Sequence, residues 1–224
     1  MVLAAALAAL TALAVLVTAA AATAQPGWHV FSSSETTTAT PVTFTVRYPP
    51  GFAKDNGSSL MESQESRDHA PDESRQATEA IVQNFRLNAP ERGIFVFMNV
   101  VTSGWSPEMR EIAEREGYPE LLEAMGRNTA ETFGYTFDGM THLLHAGLQA
   151  ADIYLSATNV TKHGNEHLTF YVQRRILKGN YGVTASCFSA FMPTDTSSEN
   201  FTSRDNPATR EYCLPFFDSL AFLD

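Results

Sequence analysis

The chain has 224 residues and a formal net charge of −10, with 25 acidic against 15 basic side chains. This balance argues against a nucleic-acid binder or an anionic-membrane binder, since both classes need a clustered basic face. Residues 25–224 are enough chain to bury one core of ordinary size, so we predict a single domain over that range.

The first 24 residues carry no charged side chain, and their apolar run leads to Ala22-Thr23-Ala24. A small-x-small triplet after an apolar run is typical of signal-peptide cleavage. We interpret 1–24 as a signal peptide of a protein exported to the periplasm or the cell exterior, with no membrane span after cleavage. An uncleaved anchor is the alternative, because the run reaches the about 20 residues that a span needs. Its high alanine content favours cleavage.

Cys187 and Cys213 are the two cysteines of the chain. In an exported protein a lone pair is a disulfide candidate, and the alternative is two buried free thiols. A bridge closing a loop of about 27 residues would stabilise the fold by about 3 kcal/mol on the chain-entropy model.

The N-terminal half predicts four strands and one polar insertion. Residues 28–34 are typical of an edge strand, and 42–48 alternate apolar and polar side chains until Pro49-Pro50 stops the pattern. Residues 53–78 contain almost nothing apolar, so we predict a mobile surface excursion there. Strands are predicted again at 80–87 and at 94–101, and the second is apolar on both faces, which indicates a central strand covered from both sides.

Two helices are predicted next. Ser106 followed by Pro107 and Glu108 forms a helix start, and that helix runs to about residue 116. The second helix begins at Pro119 and ends at Gly134. One apolar stripe is expected on it, formed by Tyr118, Leu121, Leu122, Met125 and Phe133.

The C-terminal half predicts a run of antiparallel strands. Residues 140–148 and 151–160 are two strands joined near Gln149, and 166–190 form a long hairpin turning at Gly179-Asn180. In its first arm Phe170, Val172 and Ile176 share one face. A last helix is expected to begin at Asn206-Pro207, to kink or restart at Pro215, and to lead into a strand at 219–223.

Strands, then helices, then strands joined by short turns define an α+β protein. We predict one antiparallel sheet of about six or seven strands flanked by helices on both faces, an α/β/α sandwich.

Four short motifs resemble the PsbP-like α/β/α sandwich superfamily. They are an aromatic-Pro-x-Gly-aromatic strand end, a Gly-x-x-Ala turn, a penultimate hairpin and a closing F-x-S-x-x-F segment. In this chain they are Tyr48-Pro49-Pro50-Gly51-Phe52, Gly147-Leu148-Gln149-Ala150, 179–184 and 217–222. The resemblance implies the sandwich fold and partner binding without catalysis, and it carries over no catalytic residue. The insertion at 53–78, Pro215 and the two cysteines depart from the superfamily pattern.

The sharpest enzyme-like motif runs from His163 to His167 and matches the zinc-peptidase pattern H-x-x-E-H. That chemistry needs both imidazoles on one helical face, but Gly and Asn occupy the middle and a strand pattern follows at once. We interpret the motif as a solvated turn, with a weak metal site at His163 and His167 as the alternative.

No catalytic residue, metal or cofactor is assigned from the sequence. His142 and His145 are three apart, which places them on opposite faces of a strand, and Arg174-Arg175 is typical of a solvated or cross-strand-paired spot. We therefore expect an exported, non-catalytic protein that binds a protein or envelope component. The alternative is a metal- or small-molecule-binding enzyme using His163 and His167.

Overall fold

The computed structural model describes residues 26–35, 40–55, 80–89, 94–160, 166–191 and 202–223. The strands in chain order are β1 His29–Ser32, β2 Phe44–Tyr48, β3 Ala53–Asp55, β4 Ala80–Ala89, β5 Ile94–Gly104, β6 Thr136–His145, β7 Leu148–Val160, β8 Glu166–Lys178, β9 Tyr181–Phe191 and β10 Ala221–Phe222. The helices are a 3₁₀ turn Ser33–Glu35, α1 Pro107–Arg115, α2 Tyr118–Phe133, a π-helical turn Thr209–Cys213 and α3 Leu214–Asp218.

Seven strands form the large sheet, in the order β3-β4-β5-β9-β8-β7-β6 with every neighbour antiparallel. The predicted hairpin is confirmed as β8 and β9, paired from Leu168–Phe191 to Lys178–Tyr181. Gly179 takes a φ of 60°, which a two-residue turn requires and glycine adopts at little cost. The strand predicted to be central, β5, lies between β4 and β9.

The prediction of one sheet is wrong, because β1, β2 and β10 form a second, three-stranded sheet. β1 and β10 pair with β2 on its two sides, so both of its hydrogen-bonding edges are filled and it cannot join the large sheet. β2, the strand that ends at Pro49-Pro50, thus belongs to a small sheet that combines two N-terminal strands, β1 and β2, with the C-terminal strand β10.

Different layers cover the two faces of the large sheet. Helices α1 and α2 pack on one face, where Leu121 and Leu122 contact Ala151 and Leu177. On the other face lie the small sheet and the C-terminal helix. Their buried side chains join those of the large sheet in the main core, including Phe31, Phe44, Val46, Val96, Met98, Val172, Ile176, Phe216 and Phe217. The expectation of helices on both faces is therefore correct only in part.

The two predicted helices are confirmed with their ends. The Ser106 side chain accepts a hydrogen bond from the Met109 N–H, which caps α1, and Gly134 ends α2 in the left-handed conformation. The apolar stripe predicted for α2 extends too far along the helix. Leu121 and Leu122 are buried, but Tyr118 and Phe133 at the two ends of α2 are exposed.

Several strand boundaries differ from the sequence prediction, and two of the differences change the topology. The turn between β6 and β7 lies at Ala146-Gly147, where both residues have positive φ, and not near Gln149. Ala53–Asp55, placed by the sequence in the polar excursion, pairs with β4 as the edge strand β3. The remainder of that excursion lies outside the described residues.

The sequence predicted that the last helix kinks or restarts at Pro215, and the structure has a change from π-helical to α-helical geometry one residue earlier, at Leu214. The π-helical turn ends at Cys213, and Pro215 lies in the first turn of α3, where its missing N–H costs little. Asn206 Oδ1 accepts a hydrogen bond from the Ala208 N–H at 2.8 Å, consistent with a helix start at that point.

Candidate functional site

A disulfide joins Cys187 of β9 to Cys213 at the end of the π-helical turn, with the two Cα atoms 5.5 Å apart. The predicted bridge is confirmed. Both residues are buried in the main core, so the bond fastens the C-terminal helix to a central strand of the large sheet.

A second attachment of the C-terminal segment is ionic. Arg174 of β8, 4% exposed, binds Asp152 of β7 through two parallel hydrogen bonds, Nε to Oδ1 at 2.7 Å and NH2 to Oδ2 at 2.8 Å. Its NH1 donates to Asp218 Oδ1 of α3 at 2.6 Å. Together with His145, these residues are called the charged cluster below.

His145 contacts both the cluster and the closing segment. Its Nε2 lies 2.7 Å from the Leu220 carbonyl oxygen, which can only accept, and its Nδ1 lies 3.5 Å from Arg174 NH1, which can only donate. The neutral tautomer with the proton on Nε2 satisfies both contacts. Phe222 packs edge-on against the imidazole ring at a centroid distance of 6.2 Å.

Burial and pairing set the ionisation of the charged cluster. Burial lowers the pKa of His145 below its ordinary value of 6.5, and the nearby Arg174 guanidinium lowers it further. For Arg174, burial alone would lower the pKa, but hydrogen bonds and charges from Asp152 and Asp218 outweigh it and raise the pKa. The cluster is thus built to hold Arg174 charged and His145 neutral.

The geometry of the charged cluster favours fastening over chemistry. Arg174 directs its guanidinium at Asp152, Asp218 and the His145 ring, so its donors are occupied by groups of the protein itself. The His145 nitrogen that carries no proton faces this guanidinium and not a nucleophile that it could activate. The cluster therefore positions α3 and β10 on the sheet.

The opposite face of the large sheet holds a second hydrogen-bond network. Arg175 donates to Thr129 Oγ1 of α2 at 2.6 Å and to Gln173 Oε1. Gln173 Nε2 donates to the Tyr171 hydroxyl at 2.7 Å, and that hydroxyl donates to Ser186 Oγ at 3.2 Å. The network links α2 to β8 and β9.

The structure separates the histidines singled out in the sequence. His142 is exposed and His145 is buried, so the prediction of opposite faces is confirmed. His163 lies outside the described residues, and His167 is the second residue of β8, paired with Asn159. Within the described ranges no three His, Cys, Asp or Glu side chains gather in a way that would hold a metal ion.

Cross-strand pairing, one of the two alternatives given for Arg174, is confirmed, since Arg174 binds Asp152 of β7. The sequence analysis did not predict that this pair is buried or that His145 and Asp218 join it, although one signal was present. Arg174 occupies the same face of β8 as Phe170, Val172 and Ile176, a position that a solvated arginine would not take. An arginine buried at that position requires a buried carboxylate close to it, which a neighbouring strand can supply. Asp152 of β7 is the residue paired with Arg174.

Comparison with known proteins gives only distant likenesses. No family model and no curated protein matches the chain, so the PsbP-like resemblance stays a prediction from motifs. Among solved structures, the chain is similar to LpqN of Mycobacterium tuberculosis, described as involved in cell envelope biogenesis, with TM-score 0.42, 8% identity and coverage of 88% of this chain and 92% of LpqN.

A protein of Bacteroides thetaiotaomicron is similar at TM-score 0.32 and 9% identity, over 81% of this chain and 45% of that protein. Because fold does not determine function, neither likeness assigns an activity. In the part of the chain that the structure describes, no helix is long and apolar enough to cross a bilayer.

Proposed function

We propose that the protein is an exported, non-catalytic domain that binds a protein or another component of the cell envelope. The observation that carries this proposal is the buried disulfide between Cys187 and Cys213. Structural disulfides persist in oxidising compartments and are rare in the cytosol. The uncharged apolar leader at 1–24 agrees with that compartment.

The free edge of β6 is the surface we assign to partner binding. β6 is the last strand of the large sheet, and no described strand pairs with its outer side. Met140–His145 pair with β7 in continuous register, while the bulge between Phe137 and Gly139 interrupts the first part of the strand. An unpaired, regular edge offers backbone donors and acceptors to an added strand.

The composition of this edge supports the assignment. Natural proteins usually protect a long edge with charged side chains, but residues 139–151 contain no Asp, Glu, Lys or Arg. Leu144 is 65% exposed in this stretch. The edge therefore lacks the charges that usually oppose the addition of a strand.

The lack of catalysis is supported by the way the buried polar groups bind one another. Arg174, Asp152 and His145 form contacts among themselves and with the closing segment, as described above. Their arrangement stabilises the C-terminal attachment.

Affinity purification with an edge variant tests the proposal. Tagged residues 25–224, as wild type, Leu144→Lys and Val30→Lys, are incubated with envelope extract of the source cells. A discrete envelope component is expected to co-purify in constant ratio with the wild type and with Val30→Lys, whose exposed site lies on β1 of the small sheet. Leu144→Lys should lower that recovery at least fivefold, because a charge on the edge opposes strand addition.

Two outcomes would contradict the proposal. If the wild-type protein is recovered without any co-purifying component, partner binding is contradicted. If Leu144→Lys recovers as much of the component as the wild type does, the β6 edge is not the binding surface. Thermal unfolding of both variants, with melting temperatures near that of the wild type, shows that a lost interaction is not a lost fold.

The enzyme alternative is tested by metal content. Purified wild-type protein and His163→Ala are analysed for bound metals, with His142→Ala as a control because His142 is exposed on β6. A stoichiometric metal lost only in His163→Ala would replace the non-catalytic proposal by the metal-site alternative.

A further inference from the structure

His145 joins the large sheet to residues 219–223, which are called the closing strand here and include β10. The histidine is the last residue of β6 and is 7% exposed. Its Nε2 lies 2.7 Å from the Leu220 carbonyl oxygen, and Phe222 lies edge-on against its ring. One imidazole therefore contacts the closing strand through both a backbone and a side-chain group.

Charged groups from three elements lie around this contact. They are Asp152 of β7, Arg174 and Lys178 of β8, and Asp218 of α3. Lys178 Nζ lies over the Phe222 ring at 4.7 Å from its centroid, and β10 contributes no charged side chain. Arg174 NH1 lies 3.5 Å from His145 Nδ1. The charge that Nδ1 faces is therefore the positive charge of the guanidinium.

The contacts of His145 are compatible with a neutral ring only. A proton added to Nδ1 replaces its acceptor by a donor, so two N–H groups and two positive charges then face each other across a buried contact with Arg174. A half-turn of the ring does not resolve this conflict, since it puts Cε1 in the place of Nε2 and breaks the hydrogen bond to Leu220. Exposure of the charged ring to water requires the closing strand to move.

The closing strand is held weakly enough to move by itself. β10 pairs with β2 through only two residues, Ala221 with Thr45 and Phe222 with Phe44, and short pairings of this kind open locally at low cost. Upstream of it, the chain is fastened to β9 by the disulfide at Cys213. The strand can therefore detach while α3 stays close to the large sheet.

We infer that His145 is a pH-sensitive switch, in which protonation of Nδ1 releases the closing strand from β6 and β2 while the disulfide retains α3. Release uncovers the backbone edge of β2 to which β10 pairs. Neither the outer edge of β6 nor a partner takes part in the switch, so its test is separate from that of the proposed partner.

The direction of the response follows from burial. Burial lowers the pKa of His145 below 6.5 in the closed form, and the ring regains its ordinary pKa once water reaches it. Release is therefore coupled to proton uptake and becomes more favourable as the pH falls. Below about pH 6.5 its equilibrium constant rises by up to about tenfold per pH unit, until the pH reaches the pKa of the closed form.

Amide hydrogen exchange of ¹⁵N-labelled residues 25–224, with the disulfide intact, tests the switch. Rates are measured at about pH 7 and about pH 5 and corrected for the intrinsic pH dependence of exchange. Protection of 219–223 is expected to fall at least threefold. At the lower pH it should also lie at least tenfold below that of β8 and β9, because global unfolding would expose both regions equally.

Two variants and one further titration connect the response to His145. His145→Gln should remove the pH dependence of protection in 219–223, because its amide can still donate to the Leu220 carbonyl but does not titrate. His142→Gln, exposed on the same strand, should retain it. In the wild type, ring ¹⁵N shifts should report protonation of Nδ1 over the same pH range in which protection is lost.

Four results would overturn the inference. They are constant protection of 219–223 between the two pH values, protection equal to that of β8 and β9 at the lower pH, a pH dependence that survives in His145→Gln, and protonation of Nδ1 without loss of protection. The last of these needs no variant, so a failure of His145→Gln to fold leaves the switch testable.

Discussion

At the scale of single residues, Arg174 shows two opposed forces acting on one side chain. Burying a guanidinium costs several kcal/mol of hydration, on the order of what a well-formed pair recovers. Arg174 recovers it through both oxygens of Asp152 and one of Asp218, whose side chain is 62% exposed. Asp152 is therefore the essential partner, because it is buried with the arginine, whereas the charge of Asp218 is screened by water.

Asp152→Asn is expected to destabilise the protein by about 3–5 kcal/mol, because it leaves a buried guanidinium without its countercharge. Urea unfolding at neutral pH measures the change. Glu123→Gln serves as the control, since Glu123 pairs with Arg127 on the exposed face of α2, and it should cost only about 0.3–0.5 kcal/mol. Similar small losses in both variants would show that the charged cluster is not an energetic anchor.

His145 makes the stability depend on pH. Its folded-state pKa lies below the ordinary value of 6.5 because of burial, so the unfolded chain takes up the proton first as the pH falls. Its contribution is complete above about pH 6.5 and is lost as the pH falls through the folded-state pKa. The charged groups that face the ring are Arg174, Asp152 and Asp218.

The wild type and His142→Gln are therefore expected to lose stability between pH 7.5 and pH 5, and His145→Gln to show a smaller slope. Urea midpoints at half-unit pH steps measure this. The exposed His142 on the same strand is the matched control. A slope in His145→Gln equal to that of the wild type would contradict a neutral, buried His145.

At the scale of elements, the sequence predicted best where the signal is local. The Gly179 turn, the Ser106 cap and the Gly134 stop each depend on neighbours within a few residues, and each is found where it was predicted. The turn at Ala146-Gly147 was placed three residues too late. The run 143–151 is mostly Leu, Ala and Gly with no regular alternation of apolar and polar residues, so the sequence pattern marks no turn there, and the positive φ values of Ala146 and Gly147 define it.

The C-terminal helix depends on the disulfide for part of its attachment. Replacing Cys187 and Cys213 together by alanine is expected to lower the free energy of unfolding by about 3 kcal/mol, since the loop that the bond closes in the unfolded chain becomes free. Reductant should lower the stability of the wild type by a similar amount and leave the double variant unchanged. Two freely titratable thiols in the native wild-type protein, with no effect of reductant, would contradict the bond.

At the scale of the whole molecule, the features that escaped prediction are those made by distant parts of the chain. β2 pairs with β10 across more than 170 residues, as Thr45 with Ala221, and no local pattern specifies such pairing. The charged cluster joins β6, β7, β8 and α3 in the same way. Its one local trace is Arg174 on an otherwise apolar strand face. The disulfide was predictable because the chain has two cysteines and an export-like leader.

The same long-range contacts describe how the domain closes. The final segment, residues 202–223, is fastened to the large sheet by a covalent bond at Cys213 and by the ionic contact of Asp218. Its last strand, β10, then pairs with β2, the middle strand of the small sheet. Among the described strands, β3 and β6 are the two edges of the large sheet, and the closing segment contacts the β6 end through His145.

The most direct test of an exported, disulfide-closed domain is the thiol state of the full chain in separate cell fractions. The full chain is expressed in a bacterial host, the fractions are treated with a maleimide-linked polymer, and mass shifts are measured without reduction. We predict a shortened chain, lacking about residues 1–24, outside the cytoplasm and unmodified by the polymer until it is reduced. A full-length chain in the cytoplasm that takes up two polymer molecules would contradict the account.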